Sequence, residues 1–152
     1  MRHLPTATTR LLLCIILGVL TTVPAHAQGA ADDAAVRARL AAYAAARMQR
    51  DAKAEALCYT ADGDFRSSQG PFVAGRSAVE SQLTVTNPAY RFSLSVSKLR
   101  FVADGVAVVD ADLLTGLEGR EAPLIGTYVL TKQGSDWLIA AARIALPPPA
   151  RK

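Results

Sequence analysis

The stretch Tyr59–Val79, YTADGDFRSSQGPFVAGRSAV, gathers Asp62, Asp64, Gly63, Gly70, Gly75 and a Gly75-Arg76 pair into one short run, so it reads as a phosphate cradle, a metal loop or scaffold. Its glycines do not follow the G-x-G-x-x-G or P-loop spacing, and no Lys-Ser/Thr pair closes the run. Asp62 and Asp64 lack the further oxygen-bearing residues at alternate positions that a calcium loop needs. Turn and cap roles account for the same residues. TADGD supplies turn chemistry, DFRSS and PFVAG form two short strands about Gln69-Gly70, and Ser77 with Glu80 has the spacing of a capping box that starts a helix over SAVESQL.

Outward from this scaffold, the chain places helices first and strands later. Upstream, DAAVRARLAAYAAARMQR from Asp33 is rich in strong helix formers and sets Val36, Leu40 and Tyr43 on one stripe. Asp51 caps a second, shorter helix in DAKAEALCY. Downstream, YRFSLSVSKLRF alternates Tyr90, Phe92, Leu94 and Val96 against Ser93, Ser95 and Ser97, the period of a strand with one wet face. Asp104-Gly105 turns it into VAVVDADLLTG as a hairpin. APLIGTYVLTK and DWLIAAARIAL form a second hairpin across QGS, and PPPARK (147–152) reads as a loose tail. The last strand is apolar on both faces, which predicts a homodimer packed sheet to sheet.

The first 27 residues read as a signal peptide. Arg2 and Arg10 precede the apolar run LLLCIILGVLTTV, and Ala25 and Ala27 stand at the small-residue positions of a cleavage site after Ala27. The run is shorter than the roughly 20 residues that span a bilayer, so no stable membrane insertion is expected after cleavage. The predicted product is periplasmic or secreted, with one domain over 28–146. The leader holds two of the 17 basic residues and none of the 13 acids, so only half of the net charge of +4 belongs to the rest. Those cations are dispersed and aromatics make up only 6%, which argues against nucleic acid as a partner. Both histidines, His3 and His26, fall in the leader, so the mature chain offers no imidazole for a Ser-His or Cys-His pair or for a metal site. Cys58 is the one thiol left and has no intramolecular partner.

Four blocks in order, YTADGDF, GPFVAGRSAV, DGVAVVD and WLIAAAR, resemble the nuclear transport factor 2-like superfamily, in its SnoaL-like and calcium/calmodulin-kinase association-like branches. The resemblance implies an α+β fold: a cone-shaped, curved antiparallel sheet packed against three helices of the amino-terminal half, with an apolar pocket and a tendency to dimerise. Tyr43 resembles the tyrosine with which ketosteroid isomerases donate to a developing oxyanion. Ser67 falls where those enzymes keep a carboxylate base, and Arg143 where many SnoaL-like sequences place a histidine. From the residues themselves, Asp110 and Asp112 lie two apart on a strand, about 6.5–7 Å between Cα atoms, where each perturbs the other if desolvated. Arg143 or Arg100 would balance them if that face lines the cone.

The expected function is an exported, cofactor-free and metal-free protein that binds a small, mainly apolar molecule or serves as a dimeric assembly module. Tyr43, Phe65, Tyr128, Trp137 and Arg143 are the expected lining. The alternative is an isomerase or lyase with Tyr43 as oxyanion donor and Asp110 or Asp112 as base.

Overall fold

The computed structural model describes residues 25–149. The expected leader therefore lies almost wholly outside the described residues, as do the last three residues of the tail. Helix α1 spans Ala25–Gln49, beginning earlier than the Asp33 expected and running through the anticipated cleavage position. It ends where Arg50 takes a left-handed φ of 59° and Asp51 N–H returns to the Ala46 carbonyl at 3.0 Å. Asp51 then caps α2, Ala52–Ala56, by accepting from Ala54 N–H at 2.9 Å, as its sequence position predicts.

Strand β1 spans Tyr59–Arg66, so TADGD is strand rather than turn. Its pairing partner explains the difference. β1 runs parallel to β6 with a register shift between Tyr59 and Asp64, and a Cβ on Gly63 would meet the Ile139 carbonyl oxygen at 2.9 Å. The glycine permits a close approach between strands rather than a turn. β2 (Phe72–Ala74) folds back antiparallel on β1. Helix α3 spans Arg76–Leu83 and starts from Gly75 at φ 87°, with no side-chain cap hydrogen bond. The Ser77–Glu80 capping box does not form, because Ser77 already lies inside the helix.

β3 (Tyr90–Ala103), β4 (Val106–Leu117), β5 (Arg120–Gln133) and β6 (Asp136–Ala145) follow as antiparallel neighbours. The β3–β4 turn uses Gly105 at φ 66° and the β5–β6 turn Gly134 at φ 63°, both at the expected positions. The six strands form one open sheet in the order β2-β1-β6-β5-β4-β3, mixed rather than purely antiparallel because of β1. Irregularities in β3 near Ser97 and Val102 and in β5 between Val129 and Leu130 curve it. The concave face carries Val109, Ala111 and Leu113 of β4, Tyr128 and Leu130 of β5, and Ile139 and Ala142 of β6, all buried. Val36, Leu40 and Tyr43 of α1 press against that face, as their spacing predicts. No helix among the described residues is long and apolar enough to cross a membrane.

Candidate functional site

Where α1 ends, the concave sheet and the helix do not close on each other, leaving a hollow of about 190 Å³. Each element contributes by its own period. Tyr43 and Arg47, four apart on α1, continue the buried stripe by one turn. Tyr90 and Phe92 of β3, and Leu113 and Thr115 of β4, are alternate residues of the concave face. Phe65 and Ser67, at the end of β1, with Leu124 and Ile144 complete the wall. The chamber is mainly apolar, and Arg47, Tyr90 and Thr115 form a hydrogen-bonded group in its lining. A wider hollow of about 550 Å³ beside α3 is a surface groove whose arginine, Arg76, already gives Nε and Nη2 to the Tyr59 carbonyl.

Arg47 organises this group. Its Nε donates to Tyr90 Oη at 3.0 Å, and its Nη1 to Glu55 Oε1 at 2.9 Å and more weakly to the Leu83 carbonyl at 3.5 Å. Tyr90 Oη in turn shares a hydrogen bond with Thr115 Oγ1 at 2.6 Å. The guanidinium carbon stands 5.3 Å and 5.4 Å from the ring centroids of Tyr90 and Phe92, a cation–π arrangement. Burial works against the charge on Arg47, but the oxygens of Tyr43, Glu55 and Tyr90 outweigh it and hold the group firmly protonated.

Glu55, on α2 behind Arg47, is 1% exposed. Burial pushes its carboxyl up to about 7, opposed first by the charge of Arg47. Tyr43 itself is held well above the ordinary phenol range, first by burial and then by the neighbouring Tyr59 and Tyr128, so it stays a neutral donor. Its ring meets those of Tyr59, Phe92 and Tyr128 edge-on at 5.8–6.1 Å.

The sequence-predicted site residues separate into three places. Tyr43 and Phe65 line the hollow. Tyr128 lies buried beneath it, its hydroxyl without a partner among the described residues. Trp137 sits away from the hollow, donating from Nε1 to Asp32 Oδ1 at 3.1 Å and packing 5.6 Å from Phe101. Arg143 is on the outer face, paired with Asp64 and 5.4 Å over the Phe72 ring.

Asp110 and Asp112 also point outward, because Val109, Ala111 and Leu113 take the inward phase of β4. Asp110 accepts from Thr127 Oγ1 at 3.1 Å and stands 3.9 Å from Arg100, in solvent. The expected meeting of Tyr43 with a strand carboxylate therefore does not occur: they occupy opposite faces of one sheet. Ser67 reaches the hollow, and among the described residues its lining holds no carboxylate. No group of three or more metal-ligating side chains comes together among the described residues.

Arg47, Glu55, Tyr90 and Thr115 were not among the expected site residues. Arg47 had a signal, since 36, 40, 43 and 47 continue one helical stripe and a cation there must be buried with a partner. Glu55, in the small-residue run AKAEA, had none.

No protein-family model and no curated protein matches the chain. Solved structures do. An NTF2-like protein with a cystatin-like fold from Novosphingobium aromaticivorans superposes with a TM-score of 0.75 at 15% identity, covering 88% of this chain and 94% of that one. A ketosteroid isomerase-like protein from Erwinia carotovora atroseptica gives 0.64 at 18%, covering 76% and 96%. A protein described as a calcium/calmodulin-dependent protein kinase II association domain, from Xanthomonas campestris, gives 0.64 at 20%, covering 76% and 87%. At such identities the likeness is one of backbone, and the chemistry rests on this chain's own residues. The chain has the nuclear transport factor 2-like, cystatin-like fold that its four sequence blocks resemble.

Proposed function

We propose that the chain is a small-ligand binding protein whose site is the hollow at the end of α1, and that it needs no cofactor to bind. The observation that carries this reading is a mainly apolar chamber lined by Tyr43 and by the hydrogen-bonded group Arg47, Tyr90 and Thr115. Such a chamber buries a hydrocarbon body and orients one polar end. A ligand of roughly ten non-hydrogen atoms fits the volume. Leu124 stands partly exposed at the wall, so Leu124→Trp fills the chamber without disturbing the core. Titration with small aromatic compounds, followed by NMR, is expected to shift the resonances of Tyr43, Phe92 and Thr115 in the wild type and not in the variant. Equal shifts in both would place binding elsewhere.

A second reading concerns the outer face, where Leu114 and Ile125 are exposed at 45% and 39%. We infer that two copies pack sheet to sheet over these residues, which would hide an apolar surface that a monomer leaves wet. Residues 1–27 remain, on this reading, an export leader. Cleavage after Ala27 would remove the first three residues of α1 and retain its buried residues Val36, Leu40 and Tyr43. The mass of the chain recovered from a periplasmic fraction tests this.

A further inference from the structure

Arg47 is the one charged side chain lining the hollow among the described residues. Its Nε and Nη1 are engaged by Tyr90, Glu55 and the Leu83 carbonyl, while Nη2 has no hydrogen-bond partner among the described residues. The side chain keeps 15% exposure, and Nη2 is not one of the sealed polar atoms that lack partners, which are the side-chain oxygens of Tyr59, Thr60 and Tyr128. Nη2 is thus the open edge of the cation. An open guanidinium edge in the lining of a mainly apolar chamber matches a carboxylate better than a neutral dipole, because charge-assisted hydrogen bonds are about twice as strong.

Glu55 already competes for that cation from the other side. It faces Tyr43 and Arg47 from α1, Cys58 just beyond its own helix, Tyr59 from β1 and Tyr128 from β5. α3 adds the buried apolar side chains Val79 and Leu83. Arg47 is the only cation among these neighbours. A second carboxylate on Arg47 would leave two negative charges sharing one positive charge in a largely dry site, an arrangement relieved by protonating the more buried of the two.

We propose that the hollow takes a small monocarboxylate with an apolar body, its carboxylate seated on Arg47, and that binding brings a proton from solvent onto Glu55 wherever Glu55 is still ionised. The ligand stays ionised and none of its bonds breaks; the proton adds to a Glu55 carboxylate oxygen, and the site gains no net charge. Burial has already moved Glu55 to about 7, so the proton is available near neutral pH. The proposal rests on the hollow being a ligand site and adds the ligand's charge and its proton.

Benzoate, benzamide and benzyl alcohol are near-equal in size and differ in charge. Calorimetry on the whole chain is expected to show benzoate at least about tenfold tighter than the two neutral probes at pH 6. At pH 7 the heat of benzoate binding should differ between phosphate and Tris buffers by the uptake of about half a proton, rising toward one at pH 8. Benzoate affinity should then fall by up to about tenfold per pH unit above 7. Glu55→Gln should bind benzoate with no buffer dependence of the heat and no fall above pH 7. Should that variant not fold, the wild-type comparison of buffers decides alone. Neutral probes binding as well as benzoate would overturn the carboxylate seat and leave the ligand site standing. Preference for benzoate without proton uptake would overturn the role of Glu55. Failure of all three probes would overturn both the seat and the ligand site.

Discussion

Glu55 and Arg47 form the most buried ion pair among the described residues, one 1% and the other 15% exposed. Removing one member of such a pair strands the other and costs about 3–5 kcal/mol. The pH dependence has a definite sign. Glu55 titrates at about 7 in the fold against about 4.5 for an unperturbed glutamate, so between those values the folded chain holds more protons than the unfolded one. Its contribution is complete below pH 4.5 and is lost as pH rises through 7. The shift is worth roughly 3 kcal/mol. The chain should therefore melt at a lower temperature at pH 8 than at pH 5, and Glu55→Gln should flatten that slope, as thermal denaturation across the range would show. A wild-type melting temperature that instead rises over this range would mean that Glu55 is ionised throughout. The part of Glu55 in this was not legible from sequence. An acid in AKAEA looks like an exposed helix residue, and its burial depends on Arg47 reaching across from a separate helix.

At the scale of the element, legibility followed the range of the contacts. β3 shows its alternation because serines mark the wet face, and both predicted hairpin turns carry a glycine at positive φ. These are local signals, and they held. TADGD misled because Asp-Gly is turn chemistry locally, whereas its actual partner, β6, lies more than seventy residues away and demands only that Gly63 be small. The inward phase of β4 was in principle readable, since Val109, Ala111 and Leu113 are apolar where Asp110 and Asp112 are not. Arg50 offers a test of a local device. It ends α1 in the left-handed region, which a side chain with a Cβ adopts at a cost of about 1–2 kcal/mol. Glycine pays less there, and the one side-chain bond lost, from Arg50 Nη1 to the Pro88 carbonyl at 3.4 Å, is long and exposed. Arg50→Gly should stabilise the chain by about 0.5–1 kcal/mol in urea denaturation. A loss of stability would show that the arginine holds the β3 approach in place.

For the whole molecule, the proposed ligand site and the proposed dimer contact would fall on opposite faces of the sheet. Period two puts Leu113 and Thr115 in the hollow and Asp112 and Leu114 on the outside, so neighbouring residues of one strand serve different surfaces. The hollow is built within a single chain, from α1 and the concave face. The proposed dimer would use Leu114 and Ile125 on the other side. Binding and association should accordingly be separable by mutation. Leu114→Lys places a charge on the outer apolar surface, where it costs nothing in a monomer and several kcal/mol if buried against a second copy. Sedimentation velocity should find the wild type dimeric and the variant monomeric, with the melting transition and the affinity for small aromatic ligands unchanged apart from the loss of concentration dependence. A dimer that survives Leu114→Lys would move the interface off this face. A monomeric variant that also loses ligand would show that the two faces are coupled through the strand, and that the hollow takes its shape from the partner as well as from the chain that forms it.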